Sequence, residues 1–201
     1  YPLLAQGIPF LHMGSELLRS KSYLRDSYDY GHWFNKVDFS MQTNNYNVGL
    51  PPHEKDQQNW QVIGKVISKN AGRDLVNPQH IEFSRERFIE LLKIRSSINL
   101  FRLTTAEAVN SQVKFHNTGS AQELGLIVMS LTDLDDIDKN YQQIVVVFNS
   151  SAKQQTFAFD NAESFKLHPV QALSSDAKTS ASLADEHGFT VNKFSTAVFV
   201  K

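Results

Sequence analysis

The sequence predicts a mixed α+β chain, with a helical, loop-rich first half followed by an all-β second half. Two observations carry that division. Up to about Thr105 the apolar residues follow helical spacing or none, and the polar segments between them are long. Beyond it, short β-branched runs alternate with turn-forming clusters at the spacing of an antiparallel sandwich. The expected domains are therefore residues 1–104 and residues 105–201.

In the first half, Gly7-Ile8-Pro9-Phe10-Leu11-His12-Met13-Gly14 is a short apolar run bounded by glycines. It fits a buried strand, with Pro9 near the start, where a missing N–H is tolerated. Ser20 to about Gln58 is rich in Asp, Asn, Ser, Tyr and Pro without a sustained period. An ordered loop of that length is uncommon and usually functional. Trp60 to Ile67 reads as a short helix. Asn77-Pro78 then reads as a cap and first turn, and Ile81, Phe88, Leu91, Leu92 and Arg95 continue an amphipathic helix over 78–98.

The second half offers strands at 113–116, 126–131, 144–149, 155–159, 165–168, 189–191 and 197–200, separated by clusters such as Asn117-Thr118-Gly119-Ser120 and Asp185-Glu186-His187-Gly188. The first half has one strand and no partners for it. A lone apolar strand leaves its backbone groups unpaired, so its partners are expected upstream of this chain.

Composition narrows the function classes. The 201 residues are 41% apolar and 20% charged, with a formal net charge of -1. This is the profile of a globular domain, without the basic surplus that nucleic acid attracts. No apolar run approaches the roughly 18 residues of a membrane span. There is no cysteine, so disulfides and thiolate metal sites are excluded. His53, His80, His116, His168 and His187 are scattered, and no zinc site is expected. Asp133, Asp135, Asp136 and Asp138 form an acidic run expected to be a solvated turn rather than a calcium loop. The chain opens at Tyr1 rather than Met, so the lack of a signal peptide says nothing about localisation.

Several motifs carry a more specific resemblance. Gly7-Ile8-Pro9-Phe10 with Gly14-Ser15-Glu16 resembles the eighth-strand signature of the α-amylase superfamily, glycoside hydrolase family 13. The continuation is more specific: Leu17 to Ser22, Arg25-Asp26-Ser27-Tyr28, Trp33-Phe34-Asn35, Asp38-Phe39 and Thr43-Asn44-Asn45. These are similar to the loop after the last barrel strand of pullulanases and limit dextrinases. Val48 to Pro52, Leu91 to Arg95, Leu100 to Leu103, Phe115 to Gly119 and Leu167 to Gln171 extend the match over essentially the whole chain.

The resemblance implies a C-terminal fragment: the end of a (β/α)8 barrel over 1–104 and an antiparallel β-sandwich over 105–201. It implies retaining hydrolysis of α-1,6 linkages in pullulan, amylopectin and limit dextrins by two carboxylates. Those groups follow earlier barrel strands, so no catalytic residue is assigned and the fragment is expected to be inactive. The implied partners are a branched α-glucan and the upstream barrel of the same chain, with no nucleic acid and no membrane. A dimer of the truncated fragment is a further expectation. No cofactor is expected; calcium occurs in some relatives, but no site is assigned to it. A secreted or cell-surface location is favoured by the family, with the cytoplasm still open.

Asp26, Arg25 and Arg19 are the expected substrate-binding residues. A carboxylate accepts from two sugar hydroxyls, and a guanidinium donates in a fork. Each has a structural alternative. Arg25 and Asp26 could take part in an internal ion pair, and Arg19 and Lys21 could tie the loop to its neighbours. Trp33, Phe34, Tyr28 and Tyr30 either stack on sugar rings or form a small core within the loop. His12 either reaches the sugar-binding end or is a satisfied buried histidine. His32 replaces the usual aspartate of the relatives and offers no fixed negative charge. A rival reading makes the β half a carbohydrate-binding module, although it has no tryptophan.

Overall fold

A computed structural model describes residues 1–73 and 76–201. It divides into two compact units: Tyr1–Phe10 with Glu90–Lys201, and Leu11–Ile89.

The first unit is built around strand β3 (Gln143–Asn149), with Ile144, Val145, Val146, Val147, Phe148 and Asn149 buried. An apolar run without a polar face must be covered on both sides. It lies between β2 (Leu126–Thr132) and β8 (Ser195–Val200) in an antiparallel sheet ordered β1-β2-β3-β8-β5, with β1 spanning Val113–Phe115 and β5 Lys166–Leu167. Alternation sends Ile144, Val146 and Phe148 to one face and Val145 and Val147 to the other.

The first face packs with Leu4, with Ile94 and Ile98 at the end of helix α3 (Pro78–Ser97), and with Leu100 and Phe101 in the short turn after it. The second face meets a three-stranded sheet ordered β4-β7-β6, formed by Gln155–Phe157, Gly188–Val191 and Leu183–Asp185. Phe165, Phe189 and Phe199 fill the space between the sheets, with Phe189 stacked on Phe199 at 4.6 Å. The result is the two-layer sandwich expected for residues 105–201, with one strand (β6) and three helices, α4 (Ala106–Gln112), α5 (Pro169–Ala172) and α6 (Ala177–Ser180), that were not anticipated. The aromatic rings of this half are largely core.

Buried polar groups close the ladders. Asn149 donates to the carbonyls of Lys153, Val191 and Asn192 at 2.8–3.0 Å and accepts from Ser151. Gln171 accepts from the Val198 N–H at 2.7 Å and donates to the Thr196 carbonyl at 2.8 Å, continuing beyond β5 the pairing of β8. The acidic run is a hydrogen-bonded turn: Asp133 accepts from the backbone of Asp135, Ile137 and Asp138, and Asp138 from that of Asn99.

The strand expected over Gly7–Gly14 is corrected by the structure, which places no strand there. Ile8 and Phe10 are 85% and 91% exposed. The physical reason is the one that made the run awkward: among the described residues no strand pairs with it, and a ladder needs a second edge. The helix over 78–98 is present, capped by the Asn77 side chain on the His80 N–H, but Leu92 is exposed and Arg95 buried.

The second unit contains α1 (His53–Asp56), α2 (Trp60–Lys69) and three 3-10 turns, Ser15–Leu17, Trp33–Asn35 and Gln57–Asn59. Leu17, Leu24, Phe34, Ile63 and Ile81 are its buried apolar residues.

Two predictions follow from the sandwich. Gly188 has φ +122°, and a Cβ there would lie 2.0 Å from the Phe157 carbonyl oxygen. Gly188→Ala should therefore cost about 3 kcal/mol, read as a lower midpoint in urea unfolding of the 201-residue chain.

His168 is buried, accepts from the Val170 N–H at 3.2 Å and lies 3.4 Å from the Ser97 hydroxyl. Burial holds its pKa below 6.5, and burial followed by Lys114 does the same for His116. Both are neutral when folded, so the unfolded chain takes up protons first. Their contribution is fully present above pH 6.5 and declines as pH falls below it. His168→Asn keeps a capping acceptor without a titrating ring, and should flatten the fall in melting temperature between pH 7 and pH 5.

Candidate functional site

The candidate residues lie in the second unit, on the segment between the Ser15–Leu17 turn and α2. Gly14 sets the first approach. Its φ is +86°, and a Cβ would come within 2.9 Å of the Arg19 side chain, so only glycine lets Arg19 fold back here. The Arg19 N–H donates to the Gly14 carbonyl at 2.9 Å.

The Arg19 guanidinium then spans three parts of the loop. One nitrogen lies 3.2 Å from both ring nitrogens of His12, and the other donates to the Asn35 side-chain oxygen. Asn35 exchanges hydrogen bonds with the Ser27 hydroxyl, which also accepts from Lys21 at 3.2 Å. His12, Arg19, Asn35, Ser27 and Lys21 thus form one polar array. His12 is exposed rather than buried.

Arg25 points elsewhere. It donates to Asp56 Oδ1 at 3.1 Å, with the guanidinium side chain 71% exposed and the carboxylate side chain 3% exposed. The same oxygen accepts from Gln58 and Asn59, while Oδ2 has no hydrogen-bond partner. Asp26 is exposed and accepts from the Tyr28 N–H at 3.0 Å, a side-chain cap on its own turn. The ion pair of this segment is therefore Arg25 with Asp56.

Other motif residues pin the loop. Ser22 is buried, donates to the Gly49 carbonyl and accepts from the N–H groups of Val48 and Gly49. Asn44 and Asn45 donate to the carbonyls of Leu18 and Trp33 at 2.9 and 2.7 Å. Asp38 gathers the hydroxyls of Ser40 and Thr43 and their N–H groups. Those hydrogen bonds hold its carboxyl far below the usual carboxylate range.

The aromatic cluster is divided. Phe34 is buried, edge-on to Trp33 at 4.5 Å and tilted against Tyr30 at 6.0 Å. Trp33 and Tyr28 are 51% and 77% exposed. Tyr30 donates to Glu54, which raises the pKa of the phenol, and Lys55 stands over its ring at 5.4 Å. Trp60 donates to the Pro51 carbonyl at 2.7 Å, a packing role.

Chemically, the segment presents amide, hydroxyl and guanidinium donors, the exposed carboxylates of Asp26, Asp29 and Glu54, and the exposed aromatic rings of Tyr28, Trp33 and Phe39. That set suits a neutral polyol with rings. Among the described residues, no three His, Cys, Asp or Glu side chains are grouped to hold a metal.

A family model described as the C-terminal part of pullulanase-type alpha-1,6-glucosidases matches residues 41–201. The chain belongs to this pullulanase-type family. Chloroplastic pullulanase 1 of Arabidopsis thaliana is 43% identical over 98% of this chain and 22% of its own length. A pullulanase of Klebsiella pneumoniae is 41% identical over 84% of this chain and 16% of its own. The crystal structure of PulA from Klebsiella oxytoca superposes with a TM-score of 0.90 at 36% identity, covering 99% of this chain and 19% of that one. The chain thus spans about a fifth of the length of the relatives it matches.

Within this pullulanase-type segment, Asp56 is the residue that sequence reasoning missed. It lies 31 positions from Arg25, within the polar segment from Ser20 to Gln58 but outside the short motifs that carried the resemblance. The only signal is its place among Gln57, Gln58 and Asn59, a run of donors that a buried acceptor could gather.

The geometry separates two kinds of residue by experiment. Arg25→Met should cost under about 1 kcal/mol, since the guanidinium is largely solvated. Asp56→Ala, which strands three donors, should cost more and should make the Ser20–Gln58 segment cut sooner in limited proteolysis. Equal losses for both variants would show that the pair acts as a unit.

Proposed function

We propose that this chain is the C-terminal portion of an enzyme that hydrolyses α-1,6 linkages in pullulan, amylopectin and limit dextrins. Residues 1–104 are the end of its (β/α)8 barrel, and residues 105–201 are the sandwich that follows it. The observation that carries this reading is the family match over residues 41–201, joined to relatives about five times as long that are named pullulanases. One solved relative, PulA from Klebsiella pneumoniae, is described as a maltotriose complex. A linear glucan chain is the ligand class that the loop's donors and exposed rings suit.

In this reading the segment after Gly14 binds substrate and does not cleave it. Asp26 has a free carboxylate oxygen beyond its turn and accepts from sugar hydroxyls. Arg19 holds the His12 and Asn35 sides of the loop at a fixed separation, and Arg25 does the same for the end of α1 through Asp56. Cleavage requires a carboxylate pair on earlier barrel strands. The sandwich contributes stability through its own core.

Two measurements test the proposal. The 201-residue chain, free of contaminating amylase, should release no reducing sugar from pullulan; release would overturn the division of labour. In the full-length enzyme, Asp26→Ala should lower kcat/KM on short branched dextrins by about tenfold, the worth of one charge-assisted hydrogen bond, with an unchanged melting temperature. Unchanged kinetics would leave Asp26 with its turn alone.

A further inference from the structure

The turn that carries Asp26 is short of internal support. Asp26, Tyr28 and Asp29 are exposed, and Asp29 sits at φ +56°, in the left-handed region that side chains disfavour. Within the turn, the Tyr28 N–H donates to the Asp26 carboxylate and the Tyr30 N–H to the Ser27 carbonyl at 3.1 Å.

Outside support comes from the single helical turn α1. Its last three residues all reach the segment 25–30. Asp56 accepts from Arg25 at 3.1 Å, the Lys55 ammonium donates to the Tyr28 carbonyl at 3.1 Å, and Glu54 accepts from the Tyr30 hydroxyl. Successive helical residues diverge by about 100°, so three in a row meet one segment only where that segment wraps round the helix. α1 is in turn fixed to α2. The Trp60 indole donates to the Pro51 carbonyl, and its ring lies edge-on to His53 at 5.5 Å. Every partner in this series lies between Arg25 and Trp60.

The three ties are not equivalent. Arg25 and Asp56 join ahead of Asp26, and Asp56 is buried with further donors gathered on it. Tyr30 and Glu54 join behind the turn through their side-chain tips. Lys55 grips the backbone between them. The carbonyl it takes belongs to Tyr28, the residue whose N–H the Asp26 carboxylate takes.

We propose that Lys55 is a positioning residue for substrate: it fixes Tyr28, and through it the direction of the Asp26 carboxylate, without touching the glucan. This rests on the reading of Asp26 as a glucan-binding group. An ammonium suits the task. Its charge-assisted hydrogen bond holds the middle of the turn, and its place over the Tyr30 ring holds the end. A carboxylate on a fixed backbone has less freedom to lose when sugar hydroxyls engage it, so the gain falls on substrate binding.

Kinetics of the full-length enzyme on short branched dextrins test this, with Lys55→Met, Lys55→Arg, Asp26→Ala and the double variant of Asp26→Ala with Lys55→Met. Lys55→Met keeps the stem and removes the donor. It should raise KM about fivefold with kcat nearly unchanged, and should melt like the parent. Hydrogen exchange should quicken at the amides of residues 26–30. Lys55→Arg still donates to the carbonyl and stacks on the ring, and should recover most of the loss. Because Lys55 acts through Asp26, adding Lys55→Met to Asp26→Ala should cost nothing more. A silent Asp26→Ala would remove the glucan reading, and the role of Lys55 with it. An impaired Asp26→Ala beside a silent Lys55→Met would overturn the positioning role alone. So would losses that multiply in the double variant, or an arginine that rescues nothing. A lowered melting temperature for Lys55→Met would make the residue structural.

Discussion

Strand β3 has no side that can face water, and the architecture of its unit is the answer to that constraint. Five consecutive apolar residues from Ile144 to Phe148 require cover above and below. Above lie the end of α3, the Leu100–Phe101 turn and Leu4, which is held in place through Arg95 and Gln6. Below lies the three-stranded sheet with its phenylalanine cluster. Each cover is made of elements distant in sequence, so the unit forms through non-local pairing, which is slow but cooperative. The polar residues buried with it, Asn149 and Gln171, are tolerated because each has both ends of its amide engaged.

The β half was legible because its physics is local in sequence. A β-branched run that alternates or is wholly apolar specifies a strand, and a cluster of Asn, Ser and Gly specifies its end. What escaped was short or propensity-neutral. The three residues of β6 owe their strand state to β7, and α4 begins from a Thr105 cap that donor spacing alone does not reveal. The run Gly7–Gly14, which forms no strand in this chain, shows the limit. Hydrophobic pattern says that a segment seeks burial, but only a neighbour supplies the ladder.

The candidate site was legible by residue type and not by partner. Asp26 and Arg25 sit in the polar segment that composition marked out, and Arg19 immediately precedes it. Their contacts depend on a backbone that turns at Leu18, Ser22, Tyr23 and Asp29, each at positive φ without being glycine. Such turns are stabilised by side chains reaching 20 to 30 positions along the chain, as Ser22 does to Gly49 and Asn44 does to Leu18. No periodicity encodes those reaches. This is why the ion pair with Asp56 was invisible, and why family motifs, which record such reaches indirectly, located the segment better than spacing did.

The side chain of Gln171 has one more consequence. A sheet that ends in a two-residue strand would leave most of β8's outer edge with bare N–H and C=O groups. Such an edge accepts any passing strand, including a copy of itself. Gln171 occupies those groups with an amide that mimics one residue of a neighbouring strand but cannot be extended further. The sheet is thereby terminated by a side chain, and the unit gains resistance to polymerisation at the cost of a single buried amide.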